Sequence, residues 1–155
     1  MMLRRVIWPI VRFFLQLYWR ITRPLTAGAR GVVQDGEGRI LLVRHTYIPG
    51  WYLPGGGVDK NETLREAMVR ELDEEVGVLV RGEAPLIGVF ANFREHKSDH
   101  VALYLVRDYE MEPRPNREIA EFGFFHLDEA PEGTTGSTLM RMREVLTSSP
   151  PPEFW

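Results

Sequence analysis

Cysteine is absent from the 155 residues, which excludes disulfides, thiol catalysis and cysteine-ligated zinc or iron–sulfur centres. That absence leaves the compartment open and is consistent with a cytoplasmic chain. Histidine is scarce, with four copies, of which only His96 and His100 stand four residues apart. Charge of one sign is lacking too: the net charge of -3 gives no global attraction for nucleic acid, so a polyanionic small molecule would have to be held locally, by a metal and a few arginines. No internal repeat is visible. What is present, 44% hydrophobic residues in a chain of this length, suffices for one domain with a real core and leaves no room for a second.

Acidic residues are missing from the first 23 positions, where Arg4, Arg5, Arg12, Arg20 and Arg23 are set among Trp8, Phe13, Phe14, Leu17, Tyr18 and Trp19. If Pro9 opens a helix, Arg12, Gln16, Arg20 and Arg23 form one narrow polar stripe on an otherwise apolar cylinder. A transmembrane span does not fit, because Arg12 and Arg20 cut the apolar run far below the ~20 residues needed. Ala27-Gly28-Ala29 mimics a signal-peptide cleavage site, yet Arg12 interrupts the apolar region. Residues 1–24 are therefore expected to pack on the domain or on a homodimer mate. Lying at a membrane surface is the second reading, which would make a cytoplasmic protein peripheral to the membrane.

Strands are expected at Arg30–Gln34 and Arg39–Tyr47, with Asp35-Gly36-Glu37-Gly38 as the hairpin turn between them. The glycine-rich stretch Leu53-Pro54-Gly55-Gly56-Gly57 reads as a loop whose backbone can approach a ligand. Further strands are expected at Pro85–Phe93, Val101–Asp108 and Phe122–Leu127, and a last helix at Thr138–Thr147. The resulting β-β-α-β-β-β-α order predicts an α/β (α+β mixed) fold, a mixed sheet flanked by helices.

Between Gly56 and Val78 the chain becomes specific. Asn61 is the expected N-cap, with Glu62 in the first turn; Leu64, Ala67, Met68 and Leu72 follow at helical spacing, and Gly77 is the expected stop. Glu71, Glu74 and Glu75 stand at i, i+3, i+4, which puts three carboxylates on one face, where they repel one another unless a hard cation is shared. A solvated face with Arg70–Glu74 as an ordinary ion pair would account for the acids alone. It does not account for the whole string: Gly56, five residues, Glu62, seven residues, Arg70-Glu71, an apolar residue, one residue, Glu74-Glu75, one residue, Gly77, an apolar residue.

That string resembles the Nudix box, with every position filled, and a chance match in a chain this long is on the order of one in ten million. The resemblance implies a Nudix-type fold, a mixed β-sheet sandwiched between helices, over residues 26–150, with the N-terminal amphipathic helix (1–25) as an addition and 151–155 as a tail. It implies a hydrolase using Mg2+ or Mn2+ to split the diphosphate of a nucleoside diphosphate linked to another moiety. Glu71, Glu74, Glu75 and Arg70 would be the catalytic set. Glu74 and Glu75 would be metal ligands, Glu71 a ligand or base, and the Gly56 carbonyl a further ligand, while Arg70 and Glu62 would brace the site. The alternative is a non-catalytic Nudix-like binding or interaction module, which would be expected to lose box glutamates that this chain keeps.

Outside the box the residues speak less sharply. Glu118 and Glu121 precede the last strand, where the resemblance implies an acid for a second metal or for water, and a solvated loop acid is the competing reading. Arg44 and His45 end the second strand near the expected cleft. Arg94, His96, Lys97 and His100 crowd a loop that could reach a phosphate. Tyr47, Trp51 and Tyr52 could stack on a base, or simply pack against the Pro-Gly turn. The marks that separate Nudix subgroups downstream of the box are not in their expected places, so the nucleotide is unassigned.

Overall fold

The computed structural model describes residues 25–93 and 98–155; the expected N-terminal helix, and Arg94, His96 and Lys97, lie outside the described residues. Strand β1 (Leu25–Val33) is the organising element, pairing antiparallel with β3 (Gly55–Gly57) on one side and parallel with β6 (Ser98–Val106) on the other. Antiparallel β5 (Leu86–Asn92) completes this mixed sheet in the order β3-β1-β6-β5. Strand β2 (Ile40–His45) pairs with β8 (Ile119–Phe125) in a second sheet, and β4 (Val78–Val80) with β7 (Tyr109–Met111) in a short ribbon. Two helices, α1 (Leu64–Val76) and α2 (Gly136–Thr147), and one 3-10 turn (Leu127–Glu129) complete the described elements.

Because side chains alternate across a strand, β1 and β2 each feed two cores. Ala29, Val33, Leu41 and Val43 pack with Ala67, Met68, Leu72 and Val76 of α1; Val32, Ile40 and Leu42 face the other way, onto Phe90, Leu103 and Met142 of α2. A strand covered on both faces reads as a continuous apolar run, and Ile40–Val43 does. Gly31 sets how closely α1 approaches, since a Cβ there would lie 2.9 Å from a Leu72 methyl.

Three expectations need correction. The turn at residues 35–38 exists, held by the Asp35 carboxylate accepting from the Glu37 and Arg39 amides, but β1 and β2 share only the Gln34–Ile40 bridge and part into different sheets. The two-sided burial of both strands pulls them apart. Gly55–Gly57, expected as loop, is a strand. The N-cap is Thr63, in a reciprocal capping box with Glu66, whereas Asn61 has φ of 67° and belongs to the preceding turn together with Glu62. Gly77 ends α1 in the left-handed region at φ 67°, its N–H returning to Leu72 and Asp73 carbonyls. Strands β4 and β7, three residues each, were below what periodicity can detect.

Candidate metal and diphosphate site

Strand β3 and helix α1 meet where the box begins and ends. Glu75 is 6% exposed and accepts a 2.9 Å hydrogen bond from the Gly55 amide, which ties the helix to the strand. Glu71 lies one turn earlier against Gly56, where a Cβ would stand 2.5 Å from its carboxyl group. These two carboxylates share a cleft of about 310 Å³ with Glu118, His45, Tyr47 and Arg30.

Arg70 organises the outer wall. Its Nε and Nη2 donate to the two oxygens of Glu62 at 2.8 and 2.9 Å, Nη2 reaches the Gly57 carbonyl at 3.0 Å, and Nη1 donates to Glu71 at 2.7 Å. Glu62 in turn accepts from the Asp59 amide, so loop, strand and helix are joined through one guanidinium. The hydrogen bonds from Arg70 hold the Glu62 carboxyl down at about 2, and those carboxylates push the Arg70 guanidinium up.

Glu75 shows the opposite electrostatics. Burial, helped by the negative charges of Glu71 and Glu118, raises it to about 7 against the pull of the Gly55 amide and Arg30. His45 lies 3.9 Å away and is lowered, by burial first and by Arg30 second, so it is neutral at pH 7 and forms no ion pair. The cleft thus concentrates hard oxygen donors with excess negative charge, and at neutral pH Glu75 is poised between its protonated form and the ionised form that a cation would favour. The donor set fits a hard divalent ion. Among the described residues, however, no three acids or histidines are gathered in one coordination shell. Glu74 is turned out, its side chain 60% exposed and 3.4 Å from Arg70.

The other candidates divide. Tyr47 and Glu118 line the cleft. Glu121 is paired with Arg44 at 2.8 Å on the outside of the β2–β8 sheet. Trp51, offered as a base platform, is buried at 7% exposure edge-on to Phe125 and is a core residue; Tyr52 instead reaches the cleft. His100 sits edge-on to Phe93. Arg30 was missed. Its signal was a charge inside a strand of otherwise small and apolar residues, Ala29-Arg30-Gly31-Val32, where alternation points it inward. The guanidinium donates to the Leu53 carbonyl at 2.5 Å.

A family model described as NUDIX domain matches residues 24–144. The chain belongs to the NUDIX family. Among curated relatives it is 30% identical over 107 residues to an ADP-ribose pyrophosphatase of Methanocaldococcus jannaschii, covering 66% of this chain and 62% of that protein. It is 47% identical over 47 residues to an RNA pyrophosphohydrolase of Halorhodospira halophila, covering 30% and 26%. The matched stretches thus span less than two thirds of either NUDIX relative. Among solved structures, a MutT NUDIX hydrolase from Burkholderia pseudomallei superposes with a TM-score of 0.68 at 29% identity, over 78% of this chain and 98% of that one. The mixed α+β architecture is that of this family.

Proposed function

We propose that this NUDIX protein hydrolyses the diphosphate bond of a nucleoside diphosphate linked to another moiety, by attack of water on phosphorus, with Mg2+ or Mn2+ as cofactor. The observation that carries this is the cleft itself, in which Glu71, Glu75 and Glu118 converge beside the Gly55–Gly57 backbone under the Arg70–Glu62 brace. The relatives' names, pyrophosphatase and pyrophosphohydrolase, support the same bond. Glu71, Glu75 and the Gly56 carbonyl would hold the metal from within the cleft, Glu74 would join them by turning in from its exposed rotamer, and Glu118 could hold a second ion or orient water. A divalent ion there supplies neutralisation of diphosphate charge and activation of water. The protein's own share is positional. Arg70 fixes Glu71, Glu62 fixes the loop, and Gly56 leaves room for the Glu71 carboxylate beside the backbone. One cleft carboxylate takes the proton released by water.

The outward Glu74 favours, as a second reading, a binding module without turnover. Release of nucleoside monophosphate across a panel of nucleoside diphosphate derivatives, with Mg2+, Mn2+ or EDTA, separates the two. Metal-dependent turnover that falls at least about a hundredfold in both Glu74→Gln and Glu75→Gln is the expected result. No metal-dependent turnover of any compound would leave the binding module.

A further inference from the structure

The carboxylate cleft is one end of a longer trough. Two further cavities, of about 260 and 320 Å³, adjoin it at Arg30 and share Asn92 and Trp155 as walls. Strand register explains the placement. Gly28 and Arg30 of β1, Asp99 and Val101 of β6, and Phe90 and Asn92 of β5 alternate onto the α2 side of the sheet, with Gly28 opposite Val101 and Asn92 opposite Asp99. A glycine on the floor leaves a hollow just past Phe90.

Trp155 walls this hollow from outside the family domain, which ends at residue 144. Residues 153–155 run beside the free edge of β5: the Ala91 amide donates to the Glu153 carbonyl at 2.8 Å, and the Trp155 amide to the Ala91 carbonyl at 3.0 Å. The Trp155 ring meets Phe90 edge-on at 5.6 Å. Arg141 of α2, fully buried, holds the segment down. Its guanidinium stacks over Phe90 at 4.3 Å, lies 5.5 Å from the Trp155 ring, donates to the Phe154 carbonyl and pairs with Glu144 at 2.6 Å. A buried charge is costly unless it is paired, and this one is held between Glu144 of its own helix and the Phe154 carbonyl of the C-terminal segment. What that segment delivers to the trough is one aromatic wall.

We propose that Trp155 is a specificity-determining residue: the C-terminal segment closes a subsite, next to the carboxylate cleft, for a ring carried on the substrate diphosphate and bearing adjacent hydrogen-bond donors on its rim. This rests on the reading of the cleft as a diphosphate site. The aromatic wall suits a ring face. Asp99, steadied by the Thr26 hydroxyl at 2.8 Å, offers carboxylate oxygens to donors on the ring rim. Arg30, the cation common to all three cavities, stands where the linking phosphates would pass. Two chemical sources present such a rim, the N1–H and amino edge of guanine and the neighbouring hydroxyls of a sugar.

The test uses the full chain and its variants Trp155→Ala, Trp155→Phe and Asp99→Asn. Steady-state kinetics with Mg2+ on GDP-glucose and ADP-glucose vary the base alone, and comparison with ADP removes the sugar. Trp155→Ala and Asp99→Asn should raise KM about tenfold for the ring-bearing substrate with kcat held within about twofold, and Trp155→Phe should restore most of it. A rise confined to GDP-glucose assigns the hollow to guanine; a rise for both sugar compounds but not ADP assigns it to the sugar. Equal changes on all three, or none, overturn the proposal. If the wild-type chain turns over none of them, titration calorimetry of the same compounds with Ca2+ reads the subsite directly. Selective binding lost in Trp155→Ala would keep the inference while the hydrolase reading fails, and no selectivity would end both.

Discussion

Glu75 carries the sharpest consequence of any single residue, because its burial and its charge are in conflict. Moving a carboxyl from 4.5 to about 7 means that the folded, metal-free chain holds its proton more tightly than the unfolded chain does. A raised carboxyl contributes stability that is complete below the unfolded value and is lost as pH rises through the folded one. The metal-free protein should therefore lose about 3 kcal/mol from this group between pH 4.5 and 8. His45 works in the opposite sense below about 6.5, where the unfolded imidazole takes a proton that the buried one resists. Comparison with Glu75→Gln removes that complication: the variant keeps an acceptor for the Gly55 amide, and in EDTA it should match wild type at pH 5 and exceed it at pH 8. Urea unfolding at both pH values measures this. A wild-type advantage at pH 8 without metal would mean that Glu75 is not desolvated.

At the scale of the element, β3 and α1 divide their work between two adjacent glycines. At Gly55, φ is 136° and a Cβ would strike the Ala29 and Arg30 backbone of β1, which cannot move without opening the sheet. Gly55→Ala should unfold the edge of the sheet at a cost of roughly 3 kcal/mol or more. At Gly56 the obstacle is only the Glu71 carboxyl group, the far end of a flexible side chain. Gly56→Ala should leave the melting temperature within a few degrees of wild type while lowering turnover at least tenfold, on the order of what a displaced carboxylate costs. Thermal melts and kinetics on both variants check the pair, and equal loss of stability in the two would refute the division. Alpha-helical periodicity made α1 legible, and the box spacing pointed to Gly56, Glu71 and Glu75. It could not show that Glu74 turns outward, because the i, i+3, i+4 rule fixes a face of the helix and not a rotamer. Nor could it show Gly55–Gly57 as a strand, since three glycines carry no alternation; only pairing with β1 makes them one.

For the whole molecule, the sequence conveyed layers better than connections. The apolar runs of β1, β2, β5 and β6 were plain, but sheet membership depends on which face each strand buries, and a local turn such as residues 35–38 carries no information about that. Arg30 and Trp155 were illegible as site residues for the same reason: only the parallel pairing of β1 with β6, and the return of the C-terminal segment to β5, brings them to the trough. Among the described residues no helix is long and apolar enough to cross a membrane. The same assembly links metal to global stability. A cation that binds the folded chain alone at a hundred times its Kd adds about 2.7 kcal/mol, or roughly 6–10 °C for a domain of this size. A proton on Glu75, held to about pH 7, must leave first. At pH 6 the affinity should therefore be about tenfold weaker than above pH 7.5, and the melting temperature gained from a fixed Mg2+ or Mn2+ concentration should shrink by about 3–5 °C. Differential scanning calorimetry at pH 6 and 8, with and without metal, reads the difference of differences. In Glu75→Gln the metal-induced gain should be small and nearly independent of pH. A pH-independent gain in the wild-type chain would place the cation away from Glu75.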